Sequence, residues 1–99
     1  AIAGSVTFNA GQACVAGTRL IVEKSVADRL TTAILEKMKA VRPGPTWDEA
    51  THYSPIISER QRARVDSIVR AAVAAGGECL TGGAAMDSRG YFYAPTLIA

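Results

Sequence analysis

The sequence is short of the residues from which many sites are built. It has one histidine, His52, and two cysteines, Cys14 and Cys79, in 99 residues. A metal site needs several ligands at ligand spacing, and His52 has no such partners around it, so no metal is expected. Two cysteines without a secretory context do not make a disulfide framework, which points to a reducing, cytoplasmic compartment. The net charge is only +2, and the densest basic cluster, Arg60, Arg62 and Arg64, falls on a helical pattern. A solvated helix face accounts for it without nucleic acid. No apolar run reaches membrane-spanning length and no signal-peptide pattern opens the chain, so no membrane partner is expected. The first residues, Ala1-Ile2-Ala3-Gly4-Ser5-Val6, include no initiator methionine and read as the interior of an element whose first part is missing.

What is present describes a folded, globular chain. Hydrophobic residues make up 48% and charged residues 20%, which disfavours disorder. At this length the chain is one domain or less, with modest burial on folding.

Arg19-Leu20-Ile21-Val22-Glu23 is a short apolar run with charged ends, the pattern of a strand buried on both faces in a mostly parallel sheet. Ser25 then reads as an N-cap, with Asp28 near the positive end of the helix dipole. Val26, Leu30, Ile34 and Met38 recur every four residues and predict an amphipathic helix from Ser25 to Ala40. Arg42-Pro43-Gly44-Pro45 stops it. An ordered loop follows, in which Trp47 and Tyr53 are expected to pack against the domain. Ser58-x-x-Gln61 is a capping-box pattern that starts a second helix. Its apolar stripe is Val65, Ile68, Val69, Ala72 and Val73, and Gly76-Gly77 ends it. Glu78 to Thr81 is a short strand candidate in which Cys79 is expected to be a buried structural residue. After a polar turn over Met86 to Gly90, Tyr91-Phe92-Tyr93 and Thr96-Leu97-Ile98 form a strand interrupted or bounded by Pro95. Strand, helix, helix, strand, strand is an α/β order with no internal repeat.

The chemistry centres on Phe8-Asn9-Ala10-Gly11-Gln12-Ala13-Cys14-Val15-Ala16-Gly17-Thr18-Arg19. Glycines bracket Cys14 and its neighbours are small, which suits a nucleophile that must admit a carbonyl carbon. Composition alone describes a small buried hydrophobe equally well. A thiol hydrolase would need a histidine partner, and His52 is the sole candidate.

The order of residues resembles the signature around the catalytic cysteine of the NAD(P)-dependent aldehyde dehydrogenase superfamily. Gly11-Gln12 precedes the thiol, and Arg19 follows it. Gly44 and Asp48 fall where that family has its Gly-Asp-Pro-x-Asp turn, although Pro45-Thr46 departs from it. Ser54-Pro55-Ile56-Ile57-Ser58 falls on the Gly-Pro-x-Ile/Val-Ser/Asp step with serine in place of glycine. Gly90-Tyr91-Phe92-Tyr93-Ala94-Pro95-Thr96-Leu97 is similar to the Gly-Tyr-Phe-x-x-Pro-Thr run.

The resemblance implies an internal segment of a catalytic domain, residues 1–99, in an open, mostly parallel sheet flanked by helices, with the cofactor domain outside the chain. It also implies that residues Ala1 to Asn9 are the tail of a helix. Cys14 would be the nucleophile that oxidises an aldehyde to a carboxylic acid through a thiohemiacetal and a thioester, with NAD or NADP as hydride acceptor. The Cys14 backbone N–H would be one oxyanion donor, while Asn9 belongs to the cysteine motif and is not the other. Ala13 and Val15 match positions that line the substrate tunnel, or simply pack the loop. Gln61 falls on a glutamine that contacts a cofactor ribose, a role that competes with the capping box. The family's Gly-x-Gly-x-x-Gly, its lysine-containing dinucleotide motif, its Glu-Leu-Gly-Gly general-base motif and its Glu-x-Phe-Gly-Pro motif are all absent. The isolated chain is therefore expected to be inactive, its partners being the rest of the polypeptide, a small aldehyde, and further copies in a homodimer or homotetramer. The competing reading is a non-catalytic α/β structural or interaction module with a packed cysteine.

Overall fold

In the computed structural model, which describes residues 2–87 and 89–99, helices dominate and the sheet is small. Helix α1 (Ile2–Thr7) runs into a 3-10 turn at Phe8–Gly11, α2 covers Lys24–Lys39, and α3 covers Glu59–Ala74. Strands β1 (Cys79–Thr81) and β2 (Leu97–Ile98) pair antiparallel. Ala1 of the expected helix tail and Ser88 of the expected polar turn lie outside the described residues.

The apolar spacing of α2 sets its packing. Ile34 and Met38, four residues apart, are buried against Ala3 of α1, with Leu30 and Leu97 packed at the edge. The helix begins earlier than its sequence suggests. Glu23 is the N-cap, in extended geometry, and Ser25 Oγ donates to Glu23 Oε1 at 2.6 Å instead of capping the helix. Starting at Lys24 also moves Asp28 beyond the first turn, which itself holds no acidic residue, so the carboxylate at that end is the one of Glu23. At the other end Lys37 and Lys39 complement the exposed carbonyls.

Helix α3 starts and ends where its sequence signals place it, with the Ser58 half of the capping box formed. Ser58 Oγ accepts from the Gln61 N–H at 3.2 Å, satisfying one of the unpaired donors of the first turn. Gly76, at φ +103°, ends the helix in a conformation that glycine adopts without a Cβ penalty. Its N–H reaches Val73 O and that of Gly77 reaches Ala72 O, both at 3.0 Å, which closes a Schellman motif. The stripe between is half covered: Val65, Val69 and Ala72 are partly buried, whereas Ile68 is 58% exposed.

A second packed group ties the C-terminal segment to the loop and to α3. Tyr53, Ile56, Phe92 and Tyr93 are buried, and the rings of Tyr53 and Phe92 meet edge to face with centroids 6.4 Å apart. Tyr53 Oη donates to Tyr93 O at 3.2 Å, and Tyr93 Oη donates to Asp66 Oδ1 at 3.0 Å. The loop before α3 is held by backbone bonds, among them His52 N–H to Arg42 O at 2.8 Å and Gly44 N–H to Tyr53 O at 3.2 Å.

Three expectations are corrected. Arg19 to Glu23 forms no strand, and Ile21 is 91% exposed. A doubly covered parallel strand needs a neighbour on each side, and no described residue pairs with this run. Trp47 is 86% exposed, because Asp48 N–H to Pro45 O closes a turn that leaves the indole at the loop tip. Cys79 is exposed, on a two-stranded ladder in which Cys79 faces Ile98 and Thr81 faces Leu97. Two steps of β1 against one of β2 are a bulge, which ends the pairing almost at once. Helices with a small sheet make this an α/β fragment, and no helix among the described residues is long and apolar enough to cross a membrane.

Candidate functional site

The Cys14 loop is built by a reversal of backbone hand. Asn9 (φ 50°, ψ 36°), Ala10 (φ 55°, ψ 33°) and Gly11 (φ 74°) are three consecutive left-handed residues at the end of α1. Glycine takes this conformation freely and asparagine tolerates it, but alanine pays for its Cβ with roughly 1–2 kcal/mol. A Cβ on Gly11 would also sit 3.1 Å from Val6 O.

Hydrogen bonds hold the strained turn. Gln12 N–H donates to Asn9 O at 3.0 Å, Gln12 Nε2 donates to the same oxygen at 3.1 Å, and Asn9 Nδ2 donates back to Gln12 O at 3.1 Å. The Gln12 carboxamide also reaches across the molecule: its Oε1 accepts from Ile57 N–H at 2.9 Å, 45 residues away. In the sequence Gln12 is only a letter of the motif. Nothing local signals a partner that distant.

Beyond this turn the chain turns again, with Ala16 N–H donating to Ala13 O at 3.1 Å, so Cys14 and Val15 occupy its two central positions. Both side chains are exposed, Val15 by 86%, and Ala13 is half-buried. Cys14 is a free thiol. Among the described residues no acceptor takes its backbone N–H, which leaves that donor available to a ligand oxygen.

Gln61 lies in the first turn of α3, four residues after Ile57. Its backbone N–H is used by Ser58 Oγ, and its side chain opens onto a shallow polar depression of about 690 Å³ that it lines with Arg60, Arg64 and Ser67. The structure thus joins the Cys14 loop to the entrance of α3 through the Gln12 to Ile57 bond. Ala13 and Val15 stay on the Cys14 turn itself. His52 is engaged elsewhere, its Nδ1 accepting from Arg42 N–H at 3.0 Å, and it borders an apolar groove of about 610 Å³ between α1 and α2 that does not include Cys14. Among the described residues no three of histidine, cysteine, aspartate or glutamate come together to hold a metal.

Three titratable groups of the C-terminal packing are perturbed. Burial, then the hydrogen bond to Asp66 and its charge, push Tyr93 up to about 12. Asp66 is held below the usual carboxylate range, first by its hydrogen bond from Arg70, whose Nε lies 2.6 Å from Oδ2. Burial raises Tyr53.

Comparison with known proteins places this geometry. The model of the aldehyde dehydrogenase family matches residues 1–99. A succinate-semialdehyde dehydrogenase of Paenarthrobacter nicotinovorans is 41% identical over 91 residues, 92% of this chain and 20% of the relative. A (Z)-2-((N-methylformamido)methylene)-5-hydroxybutyrolactone dehydrogenase of Acinetobacter baylyi is 35% identical over 88 residues, 89% of this chain and 18% of the relative. Among solved structures, lactaldehyde dehydrogenase from Escherichia coli superposes with a TM-score of 0.94 at 34% identity, covering 99% of this chain and 21% of that one. Mycobacterium tuberculosis aldehyde dehydrogenase complexed with NAD+ gives 0.92 at 32%, covering 98% and 20%. The chain therefore spans about a fifth of the length of the curated relatives it matches.

Proposed function

The chain belongs to the aldehyde dehydrogenase family, and from that premise we propose that it carries the nucleophile of an enzyme that oxidises an aldehyde to a carboxylic acid. The observation that carries the reading is the exposure of Cys14, with its N–H unclaimed among the described residues, at the centre of a hydrogen-bonded turn. As thiolate, Cys14 Sγ adds to the aldehyde carbon, and the carbonyl electron pair moves onto oxygen to give a thiohemiacetal. The Cys14 backbone N–H donates to that oxyanion, a contact worth about 3 to 4 kcal/mol in comparable sites. Loss of hydride from the thiohemiacetal carbon gives a thioester, and water then releases the acid and returns the thiol. Ala13 and Val15 flank the bound aldehyde.

NAD or NADP, when bound, supplies the hydride acceptor. Gln61 fits a contact with its ribose, because the capping bond uses only the backbone N–H of that residue and leaves the carboxamide free. The remaining parts, including the general base and the second oxyanion donor, belong to the rest of the polypeptide. We place the full-length enzyme in the cytoplasm as a homodimer or homotetramer, and we hold the isolated chain to be inactive.

Incubating the full-length polypeptide with aldehydes and NAD or NADP tests the proposal. Reduced cofactor should form, and Cys14→Ala should abolish it. Cys14 should alkylate faster than Cys79 and be protected by aldehyde. Equal labelling of the two thiols, with no loss of activity in Cys14→Ala, would leave the competing reading, a non-catalytic α/β module.

A further inference from the structure

We infer that Gln12 is a positioning residue that keeps the Cys14 turn in register with the entrance of α3, an inference that rests on the reading of Cys14 as nucleophile. A primary carboxamide offers an acceptor and two donors on one rigid plane. Gln12 uses both ends, on different parts of the chain. Its Nε2 holds Asn9 O at 3.1 Å inside the left-handed turn, and its Oε1 holds Ile57 N–H at 2.9 Å just before the Ser58 cap. Among the described residues no other hydrogen bond joins residues 8–18 to residues 54–61. Cys14 lies two residues beyond this bridge and Gln61 four residues beyond Ile57.

The bridge therefore acts at the two positions that matter for the chemistry. Withdrawing the Nε2 donor weakens a turn that contains Ala10 at φ 55°, a conformation that persists only when its surroundings over-determine it. Withdrawing the Oε1 acceptor frees the segment that leads into Gln61. Either change moves Sγ relative to a bound cofactor, without removing any group that touches the aldehyde. Such misplacement costs turnover while leaving aldehyde binding largely intact.

The two ends can be tested separately in the full-length polypeptide. Gln12→Ala removes both. It should lower kcat by roughly 10- to 100-fold with aldehyde KM within about 3-fold, and it should speed amide hydrogen exchange at Ile57. Gln12→Glu keeps an acceptor for Ile57 but, when ionised, has no donor for Asn9 O. Exchange at Ile57 should stay as slow as in the wild type, while kcat falls and recovers relative to wild type as the pH is lowered and the carboxyl gains a proton to donate. A residue that only adds stability would not give that pH-dependent rescue. The rate of Cys14 alkylation by iodoacetamide, measured without aldehyde or cofactor, should differ from wild type in Gln12→Ala. The inference is overturned if Gln12→Ala folds and leaves kcat, Ile57 exchange and Cys14 alkylation all within about 2-fold of wild type. Should Gln12→Ala not fold, a Gln12→Glu variant with no pH-dependent rescue overturns it. If the wild type oxidises no aldehyde, the dehydrogenase reading fails, and the exchange and alkylation arms still decide the role of Gln12.

Discussion

Replacing Ala10 with glycine should stabilise the chain, against the usual direction of such a change. Ala10 sits at φ 55° and ψ 33°, where an L side chain costs roughly 1–2 kcal/mol. Glycine escapes that cost but loses more freedom on folding, about 0.4–1 kcal/mol. The methyl of Ala10 is half-buried, and its loss takes back about another 0.4 kcal/mol. The balance favours Ala10→Gly by about 0.5 kcal/mol. Ala63 supplies the control, being exposed in the interior of α3 with ordinary helical geometry. There the same substitution has no strain to relieve, and Ala63→Gly should cost about 0.5–1 kcal/mol. In a thermal melt followed by circular dichroism, 0.5 kcal/mol corresponds to roughly 2–4 °C for a folding unit of 60–100 residues and to less in a longer polypeptide. The two variants should therefore move Tm in opposite directions. If both lower it by similar amounts, Ala10 is not left-handed and the account of the turn before Cys14 is wrong.

Two further outcomes concern the rest of the fold. Ser58→Ala removes the acceptor of the Gln61 N–H and should cost about 1 kcal/mol, whereas Ser58→Asp, which can still cap, should cost much less; equal losses in urea titrations would rule out the cap. Tyr93 is raised from 10.0 to about 12, so its contribution is fully present below pH 10 and is lost as the pH rises through 12. Tyr93→Phe should accordingly be less stable than wild type at pH 7, with the gap closing between pH 10 and 12. A constant gap in stability across that window would contradict the Tyr93 to Asp66 bond. Asp66 runs the other way: its lowered value makes its contribution present above about pH 3.8 and lost as the pH falls, so Asp66→Asn should flatten the acid side of the stability profile.

Signals confined to a few neighbouring residues were legible in the sequence. The Ser58 to Gln61 spacing gave the start of α3, Gly76-Gly77 gave its end, and the four-residue recurrence of Ile34 and Met38 gave the buried side of α2. Each depends on bonds or contacts within about one or two helical turns, so the local string contains the whole cause. The N-cap of α2 shows how narrow that margin is. Ser25 carries the capping side chain that the sequence advertises, yet the helix starts from Glu23, whose backbone is extended. Arg19 to Glu23 and Cys79 failed for a different reason. Hydrophobicity records a demand for burial but does not say what satisfies it, and strand formation is decided by a partner.

The candidate site divides along the same line. Cys14 and its small neighbours could be read directly, and so could the motif letters Gly11 and Gln12. The left-handed run could not, because Ala10 at its centre gives no sign of that conformation by its residue type and Asn9 only a weak one. Local preference opposes the turn at Ala10, so its stability must come from bonds that the preference scale does not count. The contact that reaches outside is the one between Gln12 Oε1 and Ile57 N–H, made to a backbone group 45 residues on. A backbone partner leaves no trace in side-chain identity, which is why Ile57 gives no sign of the role. Local reasoning thus breaks down at the turn just before Cys14, the residue we propose as nucleophile, where strained backbone is held by bonds made from outside the turn.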